Sequence, residues 1–300
     1  MKIAGHTMGT PELSLKEAID LFARIGLEGI EIVVQDEYSC GLATKPDRQV
    51  LRDVKKAVSG AGLEVACLTP YYSKFNSPDD AVRQKENEGL KGVIDQAEEL
   101  GASFIRIYGG QFLANETDPG NEKRKRLVES MRLLGDYAAK AGVTLVIENH
   151  FNTMTVTAEQ TADILREIAH PAVKALYDQA NLAFVGAEDY REAIDLQRGL
   201  IGFVHVKDLV FREGKGPFRA SSVSHVSEDE RTVYSRVIGQ GILLWPEILK
   251  YLQESGYDGW LSMEYERRWH PQDLPPAEQG MAEGARYLRQ CLNALKGEVQ

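Results

Sequence analysis

The chain contains 300 residues, of which 43% are hydrophobic and 27% charged, a composition typical of a folded globular protein. Its formal net charge of −10 argues against a nucleic-acid-binding surface, which usually needs a basic patch. No apolar run approaches the roughly 20 residues of a membrane span, and the N-terminus has no basic segment followed by an apolar stretch, so we predict neither membrane association nor a secretory signal.

The three cysteines are far apart in the sequence and form no Cys-x-x-Cys pair: Cys40, Cys67 and Cys291. An odd number of isolated cysteines is typical of reduced thiols inside cells, where small buried cysteines act as hydrophobic residues. We therefore predict a cytoplasmic protein with reduced cysteines.

A short pattern recurs along the chain, in which an amphipathic stretch ends near a glycine and an apolar strand follows. Together with the N-terminal MKIAGHT, the copies give eight candidate strands, which lie within residues 1–7, 23–34, 59–68, 98–109, 139–150, 168–178, 198–208 and 253–266.

Helical patterns with recognisable starts and ends lie between these strands. Ser14 with Glu17, and Thr157 with Gln160, fit capping boxes. Ser77, which is followed by a proline and an aspartate, is predicted to cap another helix. We expect a left-handed glycine at the C-terminal ends of five helices: Gly26, Gly62, Gly101, Gly142 and Gly256.

Eight strands that alternate with helices imply parallel pairing through crossovers. An eight-stranded barrel and a doubly wound open sheet both satisfy this pattern. No Gly-x-Gly-x-x-Gly motif follows the first strand, which disfavours a dinucleotide-binding sheet. The length and the strand count favour an α/β fold, a single (β/α)₈ TIM barrel over residues 1–300, since roughly 250 residues is typical of that fold.

Polar residues follow four consecutive candidate strands, where a TIM barrel places its chemistry. The apolar run Leu-Val-Ile leads directly into Glu148, Asn149 and His150, and the next three strands end near an aspartate, a histidine and a glutamate: Asp178, His205 and Glu264. The interval before Glu264 is about twice the other two, which predicts a long loop insertion at about 209–236 after the seventh strand.

Burying three carboxylates beside one another is costly unless a positive charge compensates them. Each residue alone has an ordinary structural explanation, such as a salt bridge, a helix cap or a packed core histidine. As a set at one end of the barrel, they favour a divalent ion. We predict that one ion, Mn²⁺ or Mg²⁺ with Co²⁺ or Zn²⁺ as alternatives, binds Glu148, Asp178, His205 and Glu264.

The motifs around these residues, IENH, YDQAN, HVKD and MEYE, resemble those of the xylose isomerase-like TIM barrels, the sugar phosphate isomerase/epimerase superfamily. Residues 237–266 resemble the last strand–helix unit of that family, and the resemblance spans essentially the whole chain. It implies that the four residues hold one divalent ion. It also implies that Glu148 and Glu264 are the catalytic acid/base groups.

The resemblance implies a metal-dependent isomerase or epimerase of a sugar or keto-polyol, in which carboxylates move a proton through an enediolate that the ion stabilises. A dehydratase of a cyclic keto-polyol, such as an inosose or dehydroshikimate, is the alternative, with His150 and Lys207 as additional acid/base groups. An endonuclease IV-like nuclease is disfavoured, because the third and fourth strands end without histidines and the chain is acidic. The complete ligand set disfavours a non-catalytic sugar-binding barrel.

Two positions depart from the ketohexose epimerases of the family. Asn181 stands where several of them have a histidine, and Phe211 stands where the same enzymes have an arginine. We predict a small sugar or polyol as substrate, and a barrel of this kind is compatible with a homo-oligomer. Six side chains near the strand ends are predicted to bind the substrate: His6, Tyr108, His150, Asn181, Lys207 and Trp269.

Overall fold

The computed structural model describes residues 1–213 and 226–297. It contains all eight expected strands and three further short ones. In chain order the strands are β1 (Lys2–His6), β2 (Gly29–Val34), β3 (Gly41–Leu42), β4 (Glu64–Pro70), β5 (Phe104–Tyr108), β6 (Thr144–Glu148), β7 (Val173–Asp178), β8 (Ile201–Val206), β9 (Asp208–Phe211), β10 (Val233–Arg236) and β11 (Trp260–Met263).

Eight of these strands form a closed parallel barrel. Strand β1 pairs with β2 on one side and with β11 on the other, and the order between them is β4, β5, β6, β7 and β8. The two-residue strand β3 pairs with the end of β2. The predicted TIM barrel is therefore confirmed.

Helices connect the barrel strands and cover their outer surface. They are α1 (Leu15–Arg24), α2 (Arg48–Gly60), α3 (Asp80–Leu100), α4 (Glu122–Lys140), α5 (Ala158–Ile168), α6 (Gln179–Gly186), α7 (Tyr190–Leu196), α8 (Trp245–Glu254) and α9 (Ala277–Gly297). Within the described ranges, none of them is long and apolar enough to cross a membrane.

The helix ends follow the sequence signals with one exception. Both predicted capping boxes are present, and all five predicted glycines have φ between 70° and 89°. The prediction that Ser77 caps α3 is wrong. The Ser77 hydroxyl accepts the amide of Asp79, and the helix begins after Asp79, whose carboxylate accepts the amides of Ala81 and Val82.

Two apolar layers hold the fold together. The larger layer packs the outer faces of the strands against the helices. The smaller one, the inner apolar layer, contains only strand residues and fills one end of the barrel: Ala4, Ala66, Cys67, Val146, Leu176, Phe203 and Trp260. Gly29 makes room for this layer, because a Cβ atom there would lie 2.7 Å from the Trp260 ring.

Side chains alternate between the two faces of each strand, and this alternation places polar groups next to the inner apolar layer. Successive residues of a strand point to opposite faces, so the residue two positions after an inward apolar side chain also points inward. In six strands that position carries a polar residue: His6, Thr69, Glu148, Asp178, His205 and Ser262. The barrel therefore has a buried polar layer next to its inner apolar layer, on the side of the C-terminal strand ends.

The segment predicted as an insertion after the seventh strand contains the antiparallel pair β9 and β10. Residues 214–225 within it lie outside the described residues, so the full extent of the insertion and the single-domain organisation stay predictions. The three cysteines, Cys40, Cys67 and Cys291, are buried and free, as the sequence predicts.

Replacing Asp79 with alanine should lower the free energy of unfolding by about 1 kcal/mol, because two amides at the start of α3 lose their acceptor. Urea denaturation followed by circular dichroism measures this change. Ser77→Ala is the matched control and should have the smaller effect, since its hydroxyl accepts a single amide outside the helix. A larger loss from Ser77→Ala would contradict the assignment of the cap.

Candidate active site and metal centre

The four predicted metal ligands converge at the C-terminal end of the barrel. Glu148 and Asp178 are the last residues of β6 and β7, His205 lies in β8, and Glu264 directly follows β11. The strand register pairs Asp178 with His205. One potential ligand atom from each residue lies within 4.8 Å of those of the other three, and all four side chains are buried.

Asn149 connects the ends of β6 and β7 by hydrogen bonds. Its side-chain amide donates to the Asp178 carbonyl at 2.8 Å, and its side-chain oxygen accepts the Asp178 amide at 3.0 Å. The Asp178 carboxylate in turn caps α6 by accepting the Asn181 amide at 2.9 Å. The backbone of Asp178 is therefore fixed from both sides.

Two atoms in the centre of the cluster lack hydrogen-bond partners among the described residues: His205 Nδ1 and Asp178 Oδ2. His205 Nδ1 lies 3.5 Å from Glu148 Oε1 and 3.4 Å from Glu264 Oε1. Buried polar atoms are usually paired, so unpaired ones at a convergence of carboxylates indicate a place for a cation. The nitrogen and oxygen donors suit a divalent ion.

Two cations compensate part of the negative charge. Arg106 Nε donates to Glu148 Oε2 at 2.6 Å. Lys207 Nζ lies 2.7 Å from Glu264 Oε2, 3.1 Å from Asp178 Oδ2 and 3.3 Å from Glu266 Oε1. The ammonium group of Lys207 is thus part of the cluster itself.

The pKa values show how unevenly this compensation is distributed. Burial opposes ionisation throughout, yet the Arg106 guanidinium lowers the pKa of Glu148 to about 2. Lys207 and His205 similarly outweigh burial at Glu264 and hold its pKa well below the usual range. At Asp178 burial prevails and raises the pKa to about 7, so Asp178 is the least compensated carboxylate.

Among the predicted substrate-binding residues, His150, Tyr108 and Lys207 lie beside the cluster. His150 Nδ1 lies 2.7 Å from the carbonyl oxygen of Phe151, and the ring centroids of His150 and Tyr108 are 4.8 Å apart. The Tyr108 ring also covers Arg106, whose Cζ lies 3.7 Å from the ring centroid. These groups form one side of the site.

The other three predicted residues have protein partners of their own. Asn181 is buried, and its side-chain amide donates to Glu148 Oε1 at 3.2 Å and to a backbone carbonyl at 3.0 Å. His6 lies below the cluster against Glu31. Trp269 is 46% exposed, and its indole contacts the sulfur of Met8. Substrate binding by these residues stays a prediction.

Glu31 and Arg106 lie at the site as well, although neither was predicted from the sequence. Glu31 is fully buried in β2, where His205 Nε2 lies 3.1 Å from its Oε2 and the Thr69 hydroxyl donates to it. Both residues interrupt apolar strands, in GIEIVV and FIRIY. A charged residue at an inward position of a barrel strand is the signal that identifies them.

Comparisons with known proteins agree with this architecture. Residues 19–291 match the model of the xylose isomerase-like TIM barrel family. The inosose dehydratase of Geobacillus thermodenitrificans (strain NG80-2) is 26% identical over 266 residues, which cover 85% of this chain and 83% of that protein.

Two solved structures share the fold. The probable 3-DHS dehydratase AsbF of Bacillus anthracis superposes with a TM-score of 0.75 at 20% identity, over 96% of this chain and 99% of that one. The D-psicose 3-epimerase of Clostridium cellulolyticum H10, solved with D-tagatose, gives a TM-score of 0.76 at 18% identity, over 97% of this chain and 99% of that one. Because the family model matches most of the chain and eight strands form the closed barrel, this chain belongs to the xylose isomerase-like TIM barrel family.

Proposed function

We propose that this protein is a divalent-metal-dependent dehydratase, a lyase that removes water from a cyclic keto-polyol of the inosose type. The observation that carries the proposal is the buried ammonium of Lys207, which lies among the carboxylates of the site and can protonate a leaving hydroxyl. The curated relative that is 26% identical, an inosose dehydratase, supports the same reaction class. The isomerase or epimerase becomes the second candidate.

The metal ligands in this proposal are the four residues of the cluster: Glu148, Asp178, His205 and Glu264. His205 Nδ1 and Asp178 Oδ2 have no hydrogen-bond partner among the described residues, which fits this role, and the hard oxygen donors favour Mn²⁺ or Mg²⁺, with Co²⁺ or Zn²⁺ as alternatives. When bound, the ion supplies Lewis-acid polarisation of the substrate carbonyl.

We assign proton removal to His150. Its Nδ1 faces a carbonyl oxygen, which can only accept, so Nδ1 carries the hydrogen and Nε2 keeps its lone pair. Glu148 is less suited to this step, because Arg106 and Asn181 already hold its two oxygens. The base takes the proton from the carbon next to the carbonyl, and that electron pair becomes available for a new double bond.

Lys207 completes the elimination in this proposal. As the carbon–carbon double bond forms, the C–O bond to the β-hydroxyl breaks, and the leaving oxygen takes a proton from Nζ to depart as water. Glu264 and Asp178 orient Nζ towards the cluster. The Lys207 backbone is also fixed, because its carbonyl accepts the Trp245 indole N–H at 3.1 Å.

The isomerase or epimerase keeps one observation in its favour. Glu148 and Glu264 approach His205 Nδ1 from β6 and from the end of β11, so two carboxylates border the same space. Such a pair can remove a proton on one side of a planar intermediate and return it on the other. Asn181 and Phe211 still distinguish this chain from the ketohexose epimerases noted above.

A sugar or polyol substrate follows from the proposed reaction. The absence of nucleic-acid and membrane partners, the cytoplasmic location and homo-oligomer formation stay predictions from the sequence.

Incubation of the enzyme in D₂O with an inosose, dehydroshikimate and two ketohexoses should distinguish the candidate reactions. Once the reaction has run with the metal present, the metal is removed by chelation, and NMR of the products should show loss of water from a cyclic ketone and a new olefinic signal. A Glu264→Gln variant provides the inactive control. Deuterium incorporation into a ketohexose without an olefinic product would contradict the dehydratase and support the epimerase.

Dialysis against EDTA should abolish activity, and addition of Mn²⁺ or Mg²⁺ should restore it. Addition of the ion should also stabilise the metal-free protein, by about 2.7 kcal/mol at a concentration of 100 times Kd. Glu148→Gln should weaken the metal affinity measured by calorimetry. Glu167→Gln is the matched control, since Glu167 pairs with Arg124 on the surface. Equal affinity of Glu148→Gln and the wild type would refute the metal centre.

Lys207→Met should lower kcat by about 10²–10⁴-fold, the usual contribution of a general acid. Metal affinity should be retained or increased, because the substitution removes a competing cation and no ligand. Steady-state kinetics and calorimetry measure the two effects separately. Lys174→Met, near the other end of β7, is the control and should behave as the wild type. A kcat loss below about tenfold would exclude Lys207 as the acid.

A further inference from the structure

Glu31 is a fully buried carboxylate beneath the candidate metal centre, and no role was predicted for it from the sequence. It points inward from β2, and its two oxygens lie 3.2 Å and 3.1 Å from His205 Nε2. In the described part of the chain, neither a lysine nor an arginine forms an ion pair with it. Its stabilisation therefore depends on histidines and hydroxyls.

The groups around Glu31 present hydrogens to it. The amide of Met8 donates to His6 Nδ1 at 3.1 Å, so the hydrogen of neutral His6 is on Nε2, which lies 3.5 Å from Glu31 Oε1. The Thr69 hydroxyl donates to the same oxygen. Glu31 thus accepts hydrogen bonds from Thr69 in β4 and from His205 in β8, and His6 Nε2 of β1 lies within ion-pair distance of it.

This arrangement argues against a second metal ion between His6, Glu31 and His205, although the three side chains lie close enough for one. Such an ion would need a lone pair on His6 Nε2, and that atom carries the hydrogen. It would also compete for His205, whose other nitrogen faces the first cluster. The geometry is that of donors around an anion.

We propose that Glu31 is a positioning residue that makes His205 a metal ligand. By accepting the Nε2 hydrogen, Glu31 fixes the tautomer and the orientation in which the Nδ1 lone pair points into the cluster. A carboxylate behind a ligating imidazole also strengthens it as a ligand. His6 and Thr69 hold Glu31 in place. This inference rests on the metal centre proposed above, and it adds a role for residues outside the four ligands.

Metal titration of three variants tests the proposal. Glu31→Ala should weaken the Mn²⁺ affinity of the metal-free protein by about 10–100-fold, the usual effect of removing such a partner. Glu31→Gln should recover most of the affinity, because its amide oxygen can still accept the Nε2 hydrogen. Glu64→Ala is the matched control, since Glu64 is an exposed glutamate on the neighbouring strand β4 and pairs with Lys2.

A spectroscopic measurement detects the hydrogen bond directly. In Zn²⁺-loaded protein labelled with ¹⁵N-histidine, His205 should show a downfield, slowly exchanging Nε2 proton. Its resonance should move upfield in Glu31→Gln and be lost in Glu31→Ala, and His205→Asn assigns it. If Glu31→Ala does not fold, the wild type and Glu31→Gln still decide the question.

The outcomes separate this inference from the proposed function. Glu31→Ala with an Mn²⁺ affinity within about twofold of the wild type would overturn the inference alone. The same holds if the wild type lacks the downfield proton while it binds metal. A wild type that binds metal but does not dehydrate any cyclic ketone would refute the dehydratase and leave the role of Glu31 intact. A wild type without metal affinity would refute both.

Discussion

The interior of this barrel depends on the cost of burying carboxylates away from water. Of the carboxylates that the structure describes, five are at most 5% exposed, and four of these lie in the candidate site or beneath it: Glu31, Glu148, Asp178 and Glu264. Each needs a donor or a cation, since an unpaired buried charge costs several kcal/mol. Arg106, Lys207 and His205 meet most of this need, and they do so unevenly, because Asp178 keeps an oxygen without a hydrogen-bond partner among the described residues. The deficit of positive charge lies where the four proposed ligands meet.

Strand periodicity explains how the chain brings so many charges together without losing its core. The inner apolar layer and the polar layer alternate with a spacing of two residues, as in the pairs Val146 and Glu148, Leu176 and Asp178, and Phe203 and His205. A shift of one residue in any strand would turn its inward side chains towards the helices and its helix-facing side chains into the barrel. The inner apolar layer therefore determines the register of the strands, and the register determines which polar side chains meet at the candidate site.

The sequence predicts the elements whose signals are local. Strand order, capping boxes and the gathering of the four candidate ligands follow from short motifs and from the rule that barrel strands end at one rim. Glu31 depends on a partner 174 residues away, and its motif reads as an ordinary buried strand. The prediction of the N-cap of α3 was wrong for a related reason. Ser77 and Asp79 are both good N-cap residues, and only the geometry of the turn decides which of them caps the helix. The tautomer of a histidine cannot be predicted from sequence patterns, because it depends on the hydrogen-bond partner of each ring nitrogen.

The two candidate reactions, dehydration and isomerisation or epimerisation, need partly the same groups of the site. Both reactions begin when a base removes a proton next to a carbonyl, so the proposed metal ligands, and the proposed positioning of His205 by Glu31, would serve either one. They diverge when the intermediate either regains a proton or loses a hydroxyl, and the second route needs an acid at the leaving oxygen. Lys207 follows β8 and lies between the proposed ligand His205 and Asp208, whose carboxylate accepts the amides of Gly239 and Gly241. One residue at a strand end can therefore supply the acid that the elimination needs, while the proposed metal ligands are common to both candidate reactions.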